Sequence, residues 1–292
     1  MEIEGRPRVV LRNYPHWFYL PAGIVYVLFF LVPTALAFYF SLTRWTLFEA
    51  VFIGIQNYRD FLGDPQLISG LRNTILYAVM TSGLKVIIGL LLATLLTSRL
   101  RLQGLFRALI FFPVLVSTVA VGITFSTLMQ PSTGLINNAL AVFGIQGPDW
   151  LGNPRLALFS VALVDVWKGV GLATVIFIAG ILSIPVEYFE AARLEGGAWV
   201  KFRHVIIPLA RNATFTVILL SFIGGLRSFD LIWTMTKGGP GFASDTLSSV
   251  IYKMYQAGFY GLSTAGNVVL FILVTIIIYP LMRFFNRREI EL

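Results

Sequence analysis

The chain has 292 residues, of which 57% are hydrophobic and only 12% are charged, and its formal net charge is +8. Soluble domains usually carry about 25% charged residues. Here the apolar excess lies in long uncharged runs, which indicates membrane spans and not one large soluble core. The absence of cysteine excludes disulfides and thiol chemistry, and two histidines far apart in sequence argue against a histidine metal cluster.

Six stretches are long and apolar enough to cross a hydrocarbon core of about 30 Å as helices. They cover residues 17–40, 73–98, 105–129, 155–182, 213–235 and 262–285. Ala35-Leu36-Ala37 resembles a signal-peptidase site within the first stretch. The apolar run before it is too long for a typical signal peptide and aromatic residues follow at once, so an uncleaved anchor helix is favoured.

The basic residues indicate how the spans are oriented. Of the 22 Lys and Arg residues, thirteen flank the spans on the side that holds both chain ends, six lie on the opposite side and three lie within spans. Cytoplasmic loops carry the excess of basic residues in membrane proteins. The sequence therefore predicts that both termini are cytoplasmic. It also predicts an aromatic-rich interfacial segment over residues 42–71 on the outer face.

The segment between the fourth and fifth spans, residues 184–209, has the pattern of two short helices on the cytoplasmic side. Pro185 closes the fourth span, and good helix formers with early acidic residues predict a short helix that ends near Glu195. The pair Gly196-Gly197 breaks this helix. A second short helical stretch then precedes Pro208 and the fifth span.

Glu190-Ala191-Ala192, followed after three residues by Gly196 and later by a hydrophobic pattern that ends at Pro208, resembles the EAA loop of ABC importer permeases. In that family the loop forms a coupling helix that docks into a groove on the ATP-binding subunit. The resemblance implies that Glu190, Ala191, Ala192 and Gly196 are contact and turn residues, with Gly196 supplying the sharp bend. The alternative is an ordinary amphipathic connector, since Glu-Ala-Ala is common in helices.

Further short motifs resemble the carbohydrate-uptake branch of this family in their order and spacing. They are Gly54-Ile55-Gln56-Asn57-Tyr58, Arg72-Asn73-Thr74, Trp167-Lys168-Gly169, Phe229-Asp230-Leu231 and Thr236-Lys237-Gly238-Gly239-Pro240-Gly241. The resemblance implies an all-α polytopic membrane protein with six transmembrane helices, the type I ABC importer transmembrane domain, in which one N-terminal helix precedes a five-helix core. It divides the chain into residues 1–72 (tail, first helix and outer interfacial segment) and residues 73–292 (permease core with the coupling loop at 184–209).

ABC import requires ATP, but none of the five lysines in this chain is followed by Ser or Thr, so the P-loop pattern is missing. The chain is therefore expected to be no enzyme and to hold no cofactor, with ATP and Mg bound by partner subunits. The resemblance implies four kinds of partner. They are a second homologous permease, two ATP-binding subunits, an extracytoplasmic solute-binding protein and membrane lipid, and nucleic acid is not among them.

Ionisable side chains inside the spans are costly and usually face a cavity or a partner. Asp165 and Lys168 are three residues apart and so share a helix face, and Arg227 and Asp230 repeat the arrangement. The pairs are either self-neutralising structural elements or part of a solute path. Lys85 is alone in its span, and it pairs with Asp165 or Asp230 on another helix or extends toward the membrane surface.

The resemblance to the sugar branch adds candidates for a solute path. In that branch, the stretches that match residues 165–172 and 221–225 line the translocation cavity. Two glycines in the second stretch would either widen a cavity or allow close helix packing. Together with the charged pairs, the candidates are Asp165, Lys168, Gly169, Leu172, Ser221, Gly224, Gly225, Arg227 and Asp230.

The sequence therefore predicts the permease subunit of an ATP-driven ABC importer in the bacterial cytoplasmic membrane, which forms half of the pathway for a sugar, oligosaccharide or polyol. The alternative is a self-contained secondary transporter of small polar solutes. It predicts inverted repeats with broken helices in both halves, and no matching pair is visible. A membrane-embedded enzyme would need clustered His, Asp, Glu or Cys near one face.

Overall fold

The computed structural model describes residues 16–46, 48–98 and 101–286. Apart from one short β-hairpin, the regular structure of the described residues is helical. The elements in chain order are α1 (Trp17–Phe40), β1 (Thr43–Trp45), β2 (Ala50–Phe52), α2 (Gln56–Gly63), α3 (Pro65–Leu96), α4 (Gln103–Leu115), α5 (Thr118–Leu128), α6 (Leu135–Val142), α7 (Ala157–Leu182), α8 (Val186–Glu195), α9 (Gly197–Leu209), α10 (Arg211–Leu226), α11 (Asp230–Met235), α12 (Leu247–Gln256) and α13 (Tyr260–Asn286).

Four of these helices, α1, α3, α7 and α13, are each long and apolar enough to cross a membrane, and two bent helix pairs raise the number to as many as six. Residues 105–129 do not form one helix as predicted, because α4 and α5 meet at an angle of 98°. Pro113 lies near the end of α4, and Val116 and Ser117 are extended. Proline removes a backbone donor and clashes with the preceding turn, which is consistent with a helix that ends here.

The fifth predicted span, residues 213–235, is also interrupted. The helix α10 ends at Leu226 and α11 begins at Asp230, with Phe229 in a non-helical conformation between them. At its other end α10 is bent by 65° relative to α9. The continuous helix in this stretch, α10, has 16 residues and is therefore shorter than the predicted span of residues 213–235.

The helix α3 begins earlier than the second predicted span. The Asp64 side chain caps it by accepting a hydrogen bond of 2.7 Å from the backbone N–H of Gln66, and Pro65 occupies its first position. The predicted division of the chain after residue 72 thus falls inside this helix. The helices α3, α7 and α10 pack against one another around fully buried side chains such as Phe177 and Val217.

The N-terminal helix α1 presents most of its apolar surface outward, and only its C-terminal part packs on the core. There the Phe38 ring meets the Phe271 ring of α13 edge to face at a centroid distance of 6.1 Å. The hairpin of β1 and β2 follows, and Trp45 stacks on Phe40 at 4.4 Å. An apolar helix that the chain itself leaves uncovered fits a lipid-facing position.

Asn57, from one of the short motifs, holds the hairpin to the helical core. Its buried side-chain amide donates hydrogen bonds of 2.8 Å to the backbone carbonyls of Ser41 and Thr43. The motif is therefore explained by a structural requirement of the segment between α1 and α3.

Replacement of Asn57 by Ala leaves these two carbonyls without a donor, and we expect the free energy of unfolding to fall by about 1–3 kcal/mol. An unfolding titration of the purified protein in mixed micelles measures this loss. Gln56→Ala is the matched control, because Gln56 is exposed and its side chain donates to the neighbouring Asp60 side chain and to no other group among the described residues. Equal stabilities of the two variants would contradict the assigned role.

A second buried polar network joins α3 to the loop before α12. The Asp245 carboxylate is fully buried and forms an ion pair with Lys253 at 2.7 Å, while the Ser249 hydroxyl donates to it at 2.8 Å. The Asn73 amide donates to the Asp245 backbone carbonyl at 2.9 Å, and the Thr74 hydroxyl accepts from the backbone N–H of Leu247 at 2.7 Å. The motif that contains Asn73 and Thr74 thus fixes this loop.

Candidate functional site

The predicted coupling loop forms the two consecutive helices α8 and α9. Pro185 precedes the first turn of α8, which carries the acidic side chain of Glu187. Glu190 and Ala191 are exposed, whereas Ala192 is only 4% exposed and packs with Ile184 and Val205. Of the three motif residues, two thus face outward and are free for a partner, and the third holds the helix to the chain itself.

The bend between α8 and α9 lies at Gly196 and Gly197, where the sequence predicts the break, but the residue with the left-handed backbone is Gly197 and not Gly196, to which the resemblance assigned the bend. Gly196 has φ 165°, an extended conformation open to any residue, and the left-handed φ of +78° belongs to Gly197. Gly196 is needed for close packing instead, because a Cβ there would lie 2.5 Å from the Val200 Cγ2 atom. The Lys201 ammonium group lies 4.8 Å from the centre of the Phe189 ring and ties α9 to α8.

A cavity of about 160 Å³ lies between α3, α7 and α10. We call it the central cavity. Five of the predicted path residues come together in its wall, along with residues that sequence reasoning did not assign to the path. The lining consists of Lys85, Asp165, Gly169, Leu172, Ala173, Ile176, Val217, Leu220, Ser221 and Gly224.

The charged side chains of the central cavity are joined across two helices. The Lys85 ammonium group of α3 donates to the Asp165 Oδ2 atom of α7 at 2.8 Å. One of the pairings considered for Lys85 is thereby confirmed, and of the two alternatives left open for Asp165 and Lys168, a self-neutralising pair is not what the structure shows. Lys168 is outside the cavity wall and makes no ion pair within the described part of the chain.

Three other predicted path residues lie outside the cavity wall. Gly225 is buried against α3, where a Cβ would lie 2.6 Å from the Ala78 Cα atom, so its role is close helix packing. Arg227 and Asp230 are exposed and belong to the interruption between α10 and α11. They therefore do not share a helix face as predicted, since the helix ends before the first of them.

The residue that sequence reasoning left undecided is Lys85. A lone cation in an apolar helix either pairs with a carboxylate on another helix or extends toward the membrane surface, and the sequence left both open. The apolar lining residues, such as Ile176 and Leu220, carry no sequence signal that separates them from lipid-facing residues. Among the described residues, no group of three or more His, Cys, Asp or Glu side chains is arranged to hold a metal ion.

The fold and the site together define a polytopic helical membrane protein. It has a small cavity between its long helices and a solvent-exposed helical loop at the ends of two of the helices that line this cavity. Residues 85–291 match the family described as binding-protein-dependent transport system inner membrane component, and the chain belongs to this family.

Full-length relatives agree with this assignment. The chain is 33% identical over 285 residues to the probable ABC transporter permease protein YurN of Bacillus subtilis (strain 168), with 95% of this chain and 97% of the relative covered. It is 32% identical over 258 residues to the trehalose/maltose transport system permease protein MalF of Thermococcus litoralis, with 87% and 88% covered. Membership of this family leaves the alternative of a self-contained secondary transporter without support.

The fold is that of an ABC importer permease. A chain in the crystal structure of a bacterial ABC transporter involved in the import of the acidic polysaccharide alginate superposes with a TM-score of 0.81. The match covers 94% of this chain and 96% of that chain at 20% sequence identity. At this level of identity the likeness concerns the fold and not the solute.

Proposed function

We propose that this chain forms half of the translocation pathway of an ATP-driven importer for a sugar, oligosaccharide or polyol. The observation that carries the proposal is the continuity between the exposed loop and the central cavity. The loop helix α8 follows directly on α7, and α9 leads through a 65° bend into α10. Because α7 and α10 both line the cavity, a displacement of the loop reaches two of its walls.

Four partner proteins complete the proposed transporter complex. A second homologous permease forms the other half of the pathway, two ATP-binding subunits dock on the cytoplasmic loops, and a solute-binding protein docks on the outer face. The family description, which names dependence on a binding protein, supports the last of these. ATP and Mg bind to the partner subunits in this proposal, and the missing P-loop pattern is in keeping with it.

Transport proceeds by a switch between two states of the pathway. Closure of the ATP-binding subunits on each other moves α8, in which Glu190 and Ala191 contact the partner. The cavity then changes from inward-facing to outward-facing, and the binding protein with its solute favours the same change. The bend at Gly196 and Gly197 keeps α8 at a fixed angle to α9, so the displacement passes to α10.

The protein lies in the cytoplasmic membrane with both termini on the cytoplasmic side in this proposal. The excess of basic residues on that side supports the orientation. Six of these residues lie outside the described part of the chain, namely Arg6, Arg8, Arg12, Arg99, Arg287 and Arg288. The orientation places α8 and α9 in the cytoplasm, where an ATP-binding subunit is accessible.

A pull-down in mild detergent tests the proposal. We expect the tagged wild-type protein to co-purify an ATP-binding subunit and the Glu190→Ala, Gly196→Asp double variant to lose it. The first change removes an exposed contact, and the second introduces a side chain where Gly196 packs on Val200. Glu187→Ala is the control, because it removes the same charge from the same helix outside the motif. Recovery of the wild-type protein alone, with uptake driven by an ion gradient, would overturn the proposal.

A further inference from the structure

The wall of the central cavity carries no net charge. Of its lining residues, only Lys85 and Asp165 are charged, and they neutralise each other at 2.8 Å. Ser221 adds one hydroxyl group, and the remaining lining residues are apolar or glycine. A solute in this cavity thus meets one ion pair in otherwise apolar surroundings.

The two members of this ion pair are not equally available to a solute. The Lys85 side chain is 9% exposed and the Asp165 side chain is 20% exposed. The lysine stem lies against Gly169, where a Cβ would be 2.6 Å from the Lys85 Cε atom and 2.9 Å from the Nζ atom. The absence of a side chain at Gly169 therefore leaves room for the ammonium group to reach Asp165. Of the two charged groups, the carboxylate is the more exposed to the cavity.

The accessible carboxylate is an acceptor with unused capacity. An ionised carboxylate has about four acceptor sites. The hydrogen bond from Lys85 occupies one of them, and the neighbouring buried Tyr77 hydroxyl can occupy a second, which leaves about two for a solute. A solute hydroxyl that donates to it forms a charge-assisted hydrogen bond, which is stronger than one between neutral groups. An ionised solute carboxylate has no proton to donate and is repelled by the Asp165 carboxylate, and the lysine charge that would attract a solute anion is already neutralised.

We propose that Lys85 positions Asp165 as a hydroxyl acceptor, and that this pair makes the central cavity selective for uncharged polyhydroxy solutes over anionic ones. This inference rests on the proposed transport function. Asp165 is the residue that contacts the solute, and Lys85 and Gly169 are positioning residues. The same fold occurs in a transporter of an acidic polysaccharide, so this selectivity comes from the cavity residues and not from the fold.

Equilibrium binding to the purified complex tests the selectivity. The complex of this chain with its partner permease and ATP-binding subunits is placed in nanodiscs without a binding protein, whose own preference would otherwise enter the result. The probes are a panel of neutral disaccharides and a matched panel of disaccharides of two uronic acids. We expect the wild-type complex to prefer the neutral panel by about tenfold or more. Preference for the anionic panel, or binding of neither, would overturn the proposal.

Charge-removing variants separate the two residues. We expect Asp165→Asn to weaken neutral binding by about ten- to hundredfold and to strengthen anionic binding, because it leaves the Lys85 charge unneutralised. Lys85→Met should weaken binding of the neutral panel and keep the rejection of anions, because the carboxylate remains but is no longer held in place. An Asp165→Asn complex with the wild-type ratio of neutral to anionic binding would contradict the proposal.

Two glycine variants test the positioning role without a change of charge. Gly169→Ala should displace the lysine stem and reproduce the effect of Lys85→Met. Gly224→Ala is the control in the same wall, where a Cβ would have nothing within 4 Å, and it should alter both panels equally. If Gly169→Ala also alters both panels equally, the positioning role is wrong. Absence of ATP-binding subunits from the wild-type complex would instead be a failure of the proposed function.

Discussion

Asp245→Ala is expected to lower the free energy of unfolding by about 3 kcal/mol. The Asp245 side chain is fully buried and accepts from Lys253, Ser249 and Gln66. Its removal leaves the Lys253 cation without its carboxylate, whereas the Ser249 hydroxyl keeps the Thr246 carbonyl as an acceptor. Loss of one member of a buried ion pair typically costs about 3–5 kcal/mol. The lower end applies here because the Lys253 side chain is 26% exposed and can reach solvent in part.

An unfolding titration in mixed micelles measures this loss. Asp60→Ala is the matched control, since Asp60 is exposed and, within the part of the chain that the structure describes, accepts from the side chain of Gln56 alone. We expect a change within about 0.5 kcal/mol. The double variant Asp245→Ala, Lys253→Met should recover part of the stability, because it removes the unpaired cation as well. If Asp245→Ala is as stable as the control, the network does not hold this loop.

Gly225→Ala is expected to destabilise the protein by about 1–3 kcal/mol, whereas Gly224→Ala is expected to leave it unchanged or slightly more stable. A Cβ at Gly225 would lie 2.6 Å from the Ala78 Cα atom, so α3 and α10 must separate to admit it. Backbone atoms cannot rotate away as the end of a flexible side chain does. The cost therefore appears as displaced helices and lost contacts around them.

The adjacent glycine supplies the control for this prediction. A Cβ at Gly224 would have nothing within 4 Å, and alanine is favoured over glycine in a helix by up to about 1 kcal/mol. Unfolding titrations of the two variants should thus give opposite signs, or a loss for Gly225→Ala alone. Equal losses for both variants would show that this part of α10 is not closely packed against α3.

The sequence by itself was enough to predict the membrane class, the position of the exposed loop and the family. Long apolar runs with few charges are visible residue by residue, because a span must be apolar along its length whatever it packs against. The EAA motif is also local, so its two short helices were predicted from Pro185 and the pair Gly196-Gly197. The family match confirms the family prediction, although the roles of Glu190 and Ala191 stay predictions.

The tertiary structure decided which side chains meet. Asp165 and Lys168 share a helix and a mutual pair was one of two alternatives for them, but Asp165 pairs with Lys85, which is 80 residues away in sequence. Gly224 and Gly225 look alike in the sequence, but one lines the cavity and the other packs on Ala78. The physical reason is that helix periodicity defines the faces of each helix, while the contact that each face makes depends on how distant helices pack.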